Sequence, residues 1–154
     1  MRGNIPDYQM KAPKTLQEVL TTLDAEPGVW RPFAGGTDLM VLLESGVLKH
    51  RNYLSLWGID GLGTIEVTDS EVAIGSMATY TDILSHPVIQ KEFPNLVAAA
   101  RETGALAIQN RGTIGGNIAN ASPAADTPPG LLVYEAQIRK KAYYLMAKIG
   151  RAHV

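Results

Sequence analysis

The first helical pattern along the chain opens at Thr15-Leu-Gln-Glu18, where Leu16, Val19, Leu20 and Leu23 fall on one face. A helix is predicted over residues 15 to about 25, closed by Pro27-Gly28. Thr15 and Glu18 have capping-box spacing: the Thr15 hydroxyl accepts from the Glu18 N–H while the carboxylate reaches back. Ahead of this helix, Tyr8-Gln-Met-Lys-Ala-Pro13 alternates as a short strand does, and Pro13 ends it. Val29-Trp-Arg-Pro-Phe-Ala34 reads as a buried strand that Pro32 places near an edge or an end. Gly35-Gly36-Thr37-Asp38 then turns into a short apolar helix over 39–45, with Gly46 as its stop. Asn52-Tyr-Leu-Ser-Leu56 supplies a third strand. Residues 1–57 are expected to form a compact β-α-β-α-β lobe.

From Gly58 the pattern changes. Thr64-Ile-Glu-Val-Thr68 and Glu71-Val-Ala-Ile-Gly75 flank Asp69-Ser70 and read as a half-buried hairpin. Thr81 is the expected cap of a short helix to residue 84, which Pro87 interrupts. A longer helix is expected from about 95 to 102, with Leu96, Ala99 and Ala100 facing inward. The small residues of Gly112-Thr-Ile-Gly-Gly-Asn-Ile-Ala-Asn-Ala-Ser-Pro123 argue against a core strand, and Gly115-Gly116 and Pro123 argue against a normal helix. Such a segment reads as backbone lying close against something else. Asp126 is the expected cap of a helix whose first turn takes Pro128 and Pro129. Leu131-Leu-Val-Tyr134 is its apolar body, and Ala136-Gln-Ile138 begins another strand.

Composition narrows the chemistry. The 154 residues are 45% apolar and 19% charged, a globular balance. Fourteen Lys and Arg against fifteen Asp and Glu leave a net charge of -1, which gives nucleic acid or an anionic membrane no electrostatic attraction. No apolar run approaches the roughly 20 residues that span a bilayer, and the start lacks a secretory apolar segment. A cytoplasmic protein is expected. Cysteine is absent, which excludes disulfides, a thiolate nucleophile, thiolate-bound zinc and iron–sulfur ligation. His50, His86 and His153 lack metal-ligand spacing, so no metal site is expected. Without a Gly-x-Ser-x-Gly elbow there is no serine nucleophile to name. Any redox chemistry would come from a bound organic cofactor.

Two glycine pairs carry the most specific signal, Ala34-Gly-Gly-Thr-Asp38 and Thr113-Ile-Gly-Gly-Asn117. A diphosphate held by protein needs several backbone N–H groups converging on its oxygens, an approach that a Cβ would block. Thr37, Thr113 and Asn117 could add side-chain donors. The first pair also precedes a helix N-terminus, which favours anions. The plainer reading of a Gly-Gly after a strand is an ordinary turn, and neither pair is a Gly-x-Gly-x-x-Gly or phosphate-loop fingerprint. The Asp38 carboxylate would repel a phosphate, so it either caps the following helix or takes a hydroxyl from a ligand.

Pro32-Phe-Ala-Gly-Gly-Thr-Asp-Leu-Met40 together with Asn110-Arg-Gly-Thr-Ile-Gly-Gly-Asn-Ile-Ala-Asn-Ala-Ser-Pro-Ala-Ala-Asp126 resembles the FAD-binding subunit of the molybdenum hydroxylases, the family of xanthine and carbon monoxide dehydrogenases. The likeness runs from about Tyr8 to Ile138. It implies an α+β, two-lobed FAD fold with a small βαβαβ lobe over 1–57, a strand-rich lobe over 58–138, and FAD between them. Carried over by position, Pro32, Phe33, Ala34, Gly35, Gly36, Thr37, Asp38 and Leu39 would wrap the diphosphate and ribityl portion. Thr113, Ile114, Gly115, Gly116 and Asn117 would grip it from the second lobe, and Asp126 would bond the nucleotide part. Tyr80 is a weaker candidate that reads more simply as a core tyrosine. Thr103 stands where some relatives have an aromatic residue against the flavin.

The resemblance also implies the division of labour. A large partner subunit holds the molybdenum cofactor and substrate, a small one holds two [2Fe–2S] clusters, and FAD passes electrons to an external acceptor. A cysteine-free chain suits that scheme. Two rival readings are a ligand-binding or scaffold module of the same fold without flavin, and a flavoprotein oxidase with a related fold. The family pattern continues past Ile138, whereas this chain runs on through Arg139-Lys-Lys, and Ile-Gly-Arg-Ala-His-Val154 resembles a translated sequencing adapter. Residues 139–154 accordingly read as a doubtful tail on a truncated second lobe, either non-native or a genuine basic amphipathic extension.

Overall fold

The computed structural model describes residues 6–141 and 144–150, and side chains up to residue 139. It divides after Asp60 into two compact units, three residues beyond the boundary expected from the pattern.

The first unit runs β1 (Gln9–Lys11), α1 (Leu16–Ala25), β2 (Arg31–Phe33), α2 (Leu39–Glu44) and β3 (Asn52–Ser55). Its three strands are parallel in the order β1-β3-β2, with Gln9 opposite Asn52 and Phe33 opposite Ser55. The last strand is therefore central, and Tyr53, Leu54 and Ser55 are buried. β2 is an edge, which is why it tolerates Pro32: an edge strand has one row of groups outside the ladder. The buried strand expected over 29–34 is thus corrected, for Arg31 and Pro32 are exposed and Phe33 alone of the three is buried. The Phe33 and Tyr53 rings meet edge to face, 5.7 Å between centroids, and pack with Leu43.

α1 begins where the capping pattern placed it. The Thr15 hydroxyl accepts from the Glu18 N–H at 3.1 Å. The Glu18 carboxylate reaches one residue further back than expected, to the Lys14 N–H at 2.8 Å. At the other end of α1, Glu26 accepts from both Lys11 and the Trp30 indole at 2.8 Å, and Lys11 lies 4.1 Å from the Trp30 ring centroid. One carboxylate thereby ties β1, the end of α1 and the approach to β2.

The second unit opens with the hairpin β4 (Ile65–Val67) and β5 (Glu71–Gly75), Val67 opposite Val72. Helices α3 (Tyr80–Ser85), α4 (Pro87–Glu92), α5 (Pro94–Glu102), α6 (Leu106–Gln109), α7 (Ile114–Asn120) and α8 (Thr127–Leu132) follow, then β6 (Gln137–Lys141) and β7 (Tyr144–Gly150). The sheet is antiparallel in the order β4-β5-β7-β6. Val72 and Ile74 of β5 pack with Ile83, Ile89, Phe93, Leu96, Ala100, Ile114 and Leu131, one residue or more from each of five helices. A parallel sheet followed by an antiparallel one with helices inserted is an α+β architecture.

Three expectations for this unit are corrected. The cap of α3 is Thr79, whose hydroxyl accepts from the Asp82 N–H at 3.1 Å while Asp82 accepts from the Thr79 N–H at 2.8 Å. Thr81, the expected cap, bonds Asn110 instead. Pro87 starts α4 and does not interrupt a helix, since a first-turn residue has no intrahelical N–H bond to lose. Only Leu131 of the expected apolar body of α8 is buried; Leu132 and Val133 are exposed. Of the expected tail, the described residues 139–141 and 144–150 lie in β6 and β7, and 151–154 fall outside the described residues.

Candidate functional site

The segment from Pro32 to Leu39 leaves the edge strand β2 and enters α2. The last ladder bond runs from the Leu56 N–H to the Phe33 carbonyl at 2.9 Å, and α2 takes over with Met40 N–H to Gly36 O at 2.9 Å. Between them, among the described residues, the backbone N–H groups of Gly35, Gly36, Thr37 and Asp38 meet no acceptor. Gly35, Gly36 and Thr37 are half-buried and Asp38 is exposed. Gly36 has φ +79°, a left-handed conformation that glycine adopts freely. A Cβ there would sit 2.3 Å from Cζ of Phe33. The ring that anchors the strand in its core thus also lies against the turn.

Asp38 occupies the N-cap of α2 but forms no side-chain cap bond, and Asp126 does the same at α8. Both have helical backbone angles (φ -89°, ψ -43° and φ -79°, ψ -25°). The threonines that do cap, Thr15, Thr79 and Thr113, are all extended, with ψ near 150–165°. Capping needs the extended form, which swings the side-chain oxygen over the open N–H groups. The capping expectation is therefore corrected for both aspartates. Both carboxylates are exposed and, among the described residues, bond to no protein group.

The second glycine pair behaves differently. Residues 114–120 form a regular helix, α7, contrary to the expectation for 112–123. Thr113 caps it by accepting from the Gly116 N–H at 3.1 Å. The Ile114 N–H donates to Ala78 O at 3.0 Å, Gly115 N–H to Ser76 O at 2.9 Å, and Asn117 N–H to Thr113 O at 3.0 Å. All four N–H groups of this turn are engaged within the protein. The missing side chain of Gly115 is explained by packing: a Cβ would lie 2.6 Å from both Cβ and O of Ser76. The glycine lets α7 press onto the chain just after β5, and that bonded contact outweighs the poor helix propensity of glycine, roughly 1 kcal/mol per residue.

One atom of this second site is unsatisfied. Oδ1 of Asn117 is buried and has no hydrogen-bond partner. Thr113 is buried as well, whereas Tyr80 is a core residue that bonds Thr127 at 2.9 Å. Thr103 closes α5 and donates to Ala99 O at 2.8 Å. Sequence reasoning missed Ser76, for which a lone serine offers no signal, and Thr79, which Thr79-x-x-Asp82 would have revealed as a capping box. Among the described residues no group of three or more acidic or histidine side chains is placed to hold a metal, and no helix is long and apolar enough to cross a membrane.

Residues 6–142 match the family model described as the FAD binding domain in molybdopterin dehydrogenase. The chain belongs to that family. It is similar to the glyceraldehyde dehydrogenase medium chain of Sulfolobus acidocaldarius, 34% identical over 133 residues, covering 86% of this chain and 47% of the relative. It is also similar to the nicotinate dehydrogenase FAD-subunit of Eubacterium barkeri, 32% identical, with 86% and 45% covered. The structure resembles a chain of the carbon monoxide dehydrogenase from Hydrogenophaga pseudoflava with a TM-score of 0.88 at 24% identity, covering 96% of this chain and 60% of that one. That likeness shows the fold. The chain spans about half the length of the curated relatives it matches, and they are named as medium chains and FAD subunits, components of multi-subunit oxidoreductases.

The residues present fit the family's cofactor, FAD. Four adjacent unpaired N–H groups suit phosphate oxygens, and a buried amide oxygen without a partner suits a ligand that brings a donor.

Proposed function

We propose that this chain is the FAD-holding part of the medium subunit of a cytoplasmic molybdenum hydroxylase. Its partners are a molybdenum-cofactor large subunit, where substrate reacts, and a small [2Fe–2S] subunit. FAD supplies the redox chemistry, relaying electrons from the clusters to an external acceptor. The protein's own work is to bind and orient it: Gly35, Gly36, Thr37 and Asp38 offer backbone N–H groups to phosphate oxygens, while Pro32, Phe33, Ala34 and Leu39 shape that turn. Thr113 and Asn117 contribute side chains, and Ile114, Gly115 and Gly116 set their position. The exposed Asp38 and Asp126 carboxylates are acceptors for ligand hydroxyls. No residue serves as general acid or base.

The run of unpaired N–H groups at Gly35–Asp38 carries this reading, because three of its four residues are half-buried and buried backbone donors without acceptors are uncommon. The test is to purify the chain, incubate it with FAD and remove the excess. A flavin absorption band that stays with the protein and is released on heating is expected. Protein that remains colourless would favour the flavin-free scaffold.

A further inference from the structure

Resting on the FAD reading, which makes the Asp126 carboxylate an acceptor for a ligand hydroxyl, we infer that Tyr80 and Thr127 are a positioning pair that holds Asp126 in place for that bond. All three residues lie in the second unit. A side chain at a helix start finds its partner in the N–H of the second or third helical residue. In α8 those residues are Pro128 and Pro129, which have no N–H. Asp126 therefore has nothing to cap, whatever its backbone angles, and its exposed carboxylate stays open to a ligand. The start of α8 is secured one residue later and by another route. The hydroxyls of Thr127 and Tyr80, both buried, meet at 2.9 Å across 47 positions of sequence. Tyr80 is itself fixed. Its N–H donates to Gly112 O at 3.2 Å, and its ring lies so near Gly112 that a Cβ there would be 3.1 Å from Cε2. The capping box of Thr79 and Asp82 holds the start of its helix, and Thr79 pairs with Thr113 in an antiparallel bridge. The phenol is thus a rigid arm from the frame that starts α7 to the residue beside Asp126. Apolar contacts alone tolerate several packings, whereas a satisfied buried polar pair specifies one.

Positioning and plain stability are separated by reading two quantities on the whole chain, FAD affinity from quenching of flavin fluorescence and melting temperature from circular dichroism. Y80F removes one hydroxyl and keeps the ring, and T127V removes the other at equal size. Each is expected to weaken FAD about threefold, and the two together no more than either alone, because both break the same bond. T127S keeps the hydroxyl and should retain the affinity. D126A removes no side-chain hydrogen bond among the described residues, so its melting temperature should be unchanged, while FAD weakens about tenfold. The deciding variant is Y80F/D126A. Its affinity should equal that of D126A, and its melting temperature should fall as in Y80F. Losses of affinity that add in Y80F/D126A would reduce the pair to a structural contact and overturn the inference. Unchanged affinity in both Y80F and T127V, or in D126A, would overturn it as well. In each of these cases FAD still binds and the FAD reading stands. An unsubstituted chain that binds no FAD would instead refute that reading, and the inference with it.

Discussion

The same dipeptide does opposite things in the two units. Gly35-Gly36 sits in a non-helical turn whose N–H groups are open and whose second glycine has a positive φ. Gly115-Gly116 sits in the first turn of a regular helix with its N–H groups engaged. In the first, glycine is needed for a backbone conformation and a ring contact; in the second, Gly115 is needed for a close approach to Ser76. A glycine pair is thus evidence of crowding or of unusual dihedrals before it is evidence of a phosphate. What distinguishes a binding turn is whether its donors remain unpaired.

The sharpest way to break this contrast is Gly115→Ala. The added methyl would meet the Ser76 carbonyl at 2.6 Å, and a backbone atom cannot rotate away as a side chain can. Overpacking of this kind costs roughly 1–3 kcal/mol, and a loss at the upper end, about 3 kcal/mol, is expected in urea denaturation followed by far-UV circular dichroism. Adding Ser76→Gly should not rescue the variant, since the carbonyl stays in place. Rescue would mean that the serine side chain alone sets the spacing.

Gly36→Ala should cost less, about 2 kcal/mol, from the left-handed backbone and from displacing the Phe33 ring. Phe33→Leu separates the two terms. In that background the ring contact is gone and Gly36→Ala should cost only the conformational part, roughly 1 kcal/mol. The double-mutant cycle then yields a coupling energy between the two sites. Both tryptophans, Trp30 and Trp57, lie before residue 60, so their fluorescence follows this unit. Additive losses would show that ring and turn are independent.

These two sites also show where the sequence was legible and where it was not. The βαβαβ order was readable because Leu16, Val19, Leu20 and Leu23 recur at helical spacing between short strands, and the capping pattern at Thr15 is local chemistry. α7 was not. Its glycines lower helix propensity, and the compensating contact comes from Ser76, some forty positions earlier, which no local window contains. Asp38 and Asp126 stand at helix starts, yet their side chains do not cap, because the backbone angles that decide it are set by the preceding turns. The glycine-rich motifs identified the family correctly through their order and spacing; which of their N–H groups are unpaired is visible only in the fold.

The smallest effect concerns the approach to the open turn. Glu26, held by Lys11 first and by the Trp30 indole second, has its carboxyl below the ordinary value of 4.5. A carboxylate with a depressed folded pKa adds stability that is present above its unfolded pKa and lost as pH falls through the folded one. Acid should therefore loosen the tie between β1, α1 and the start of β2 below about pH 4.5, seen as a change in tryptophan emission. Glu26→Gln should leave a smaller difference between pH 7 and pH 3, because its amide has no charge to lose. The group is on the surface, where screening by water keeps such pairs weak, so the shift in midpoint should be the least of the three. An acid response in Glu26→Gln equal to that of the unsubstituted chain would move the source of pH sensitivity away from this carboxylate, and would leave the open turn without the anchor that its edge strand has at the end of α1.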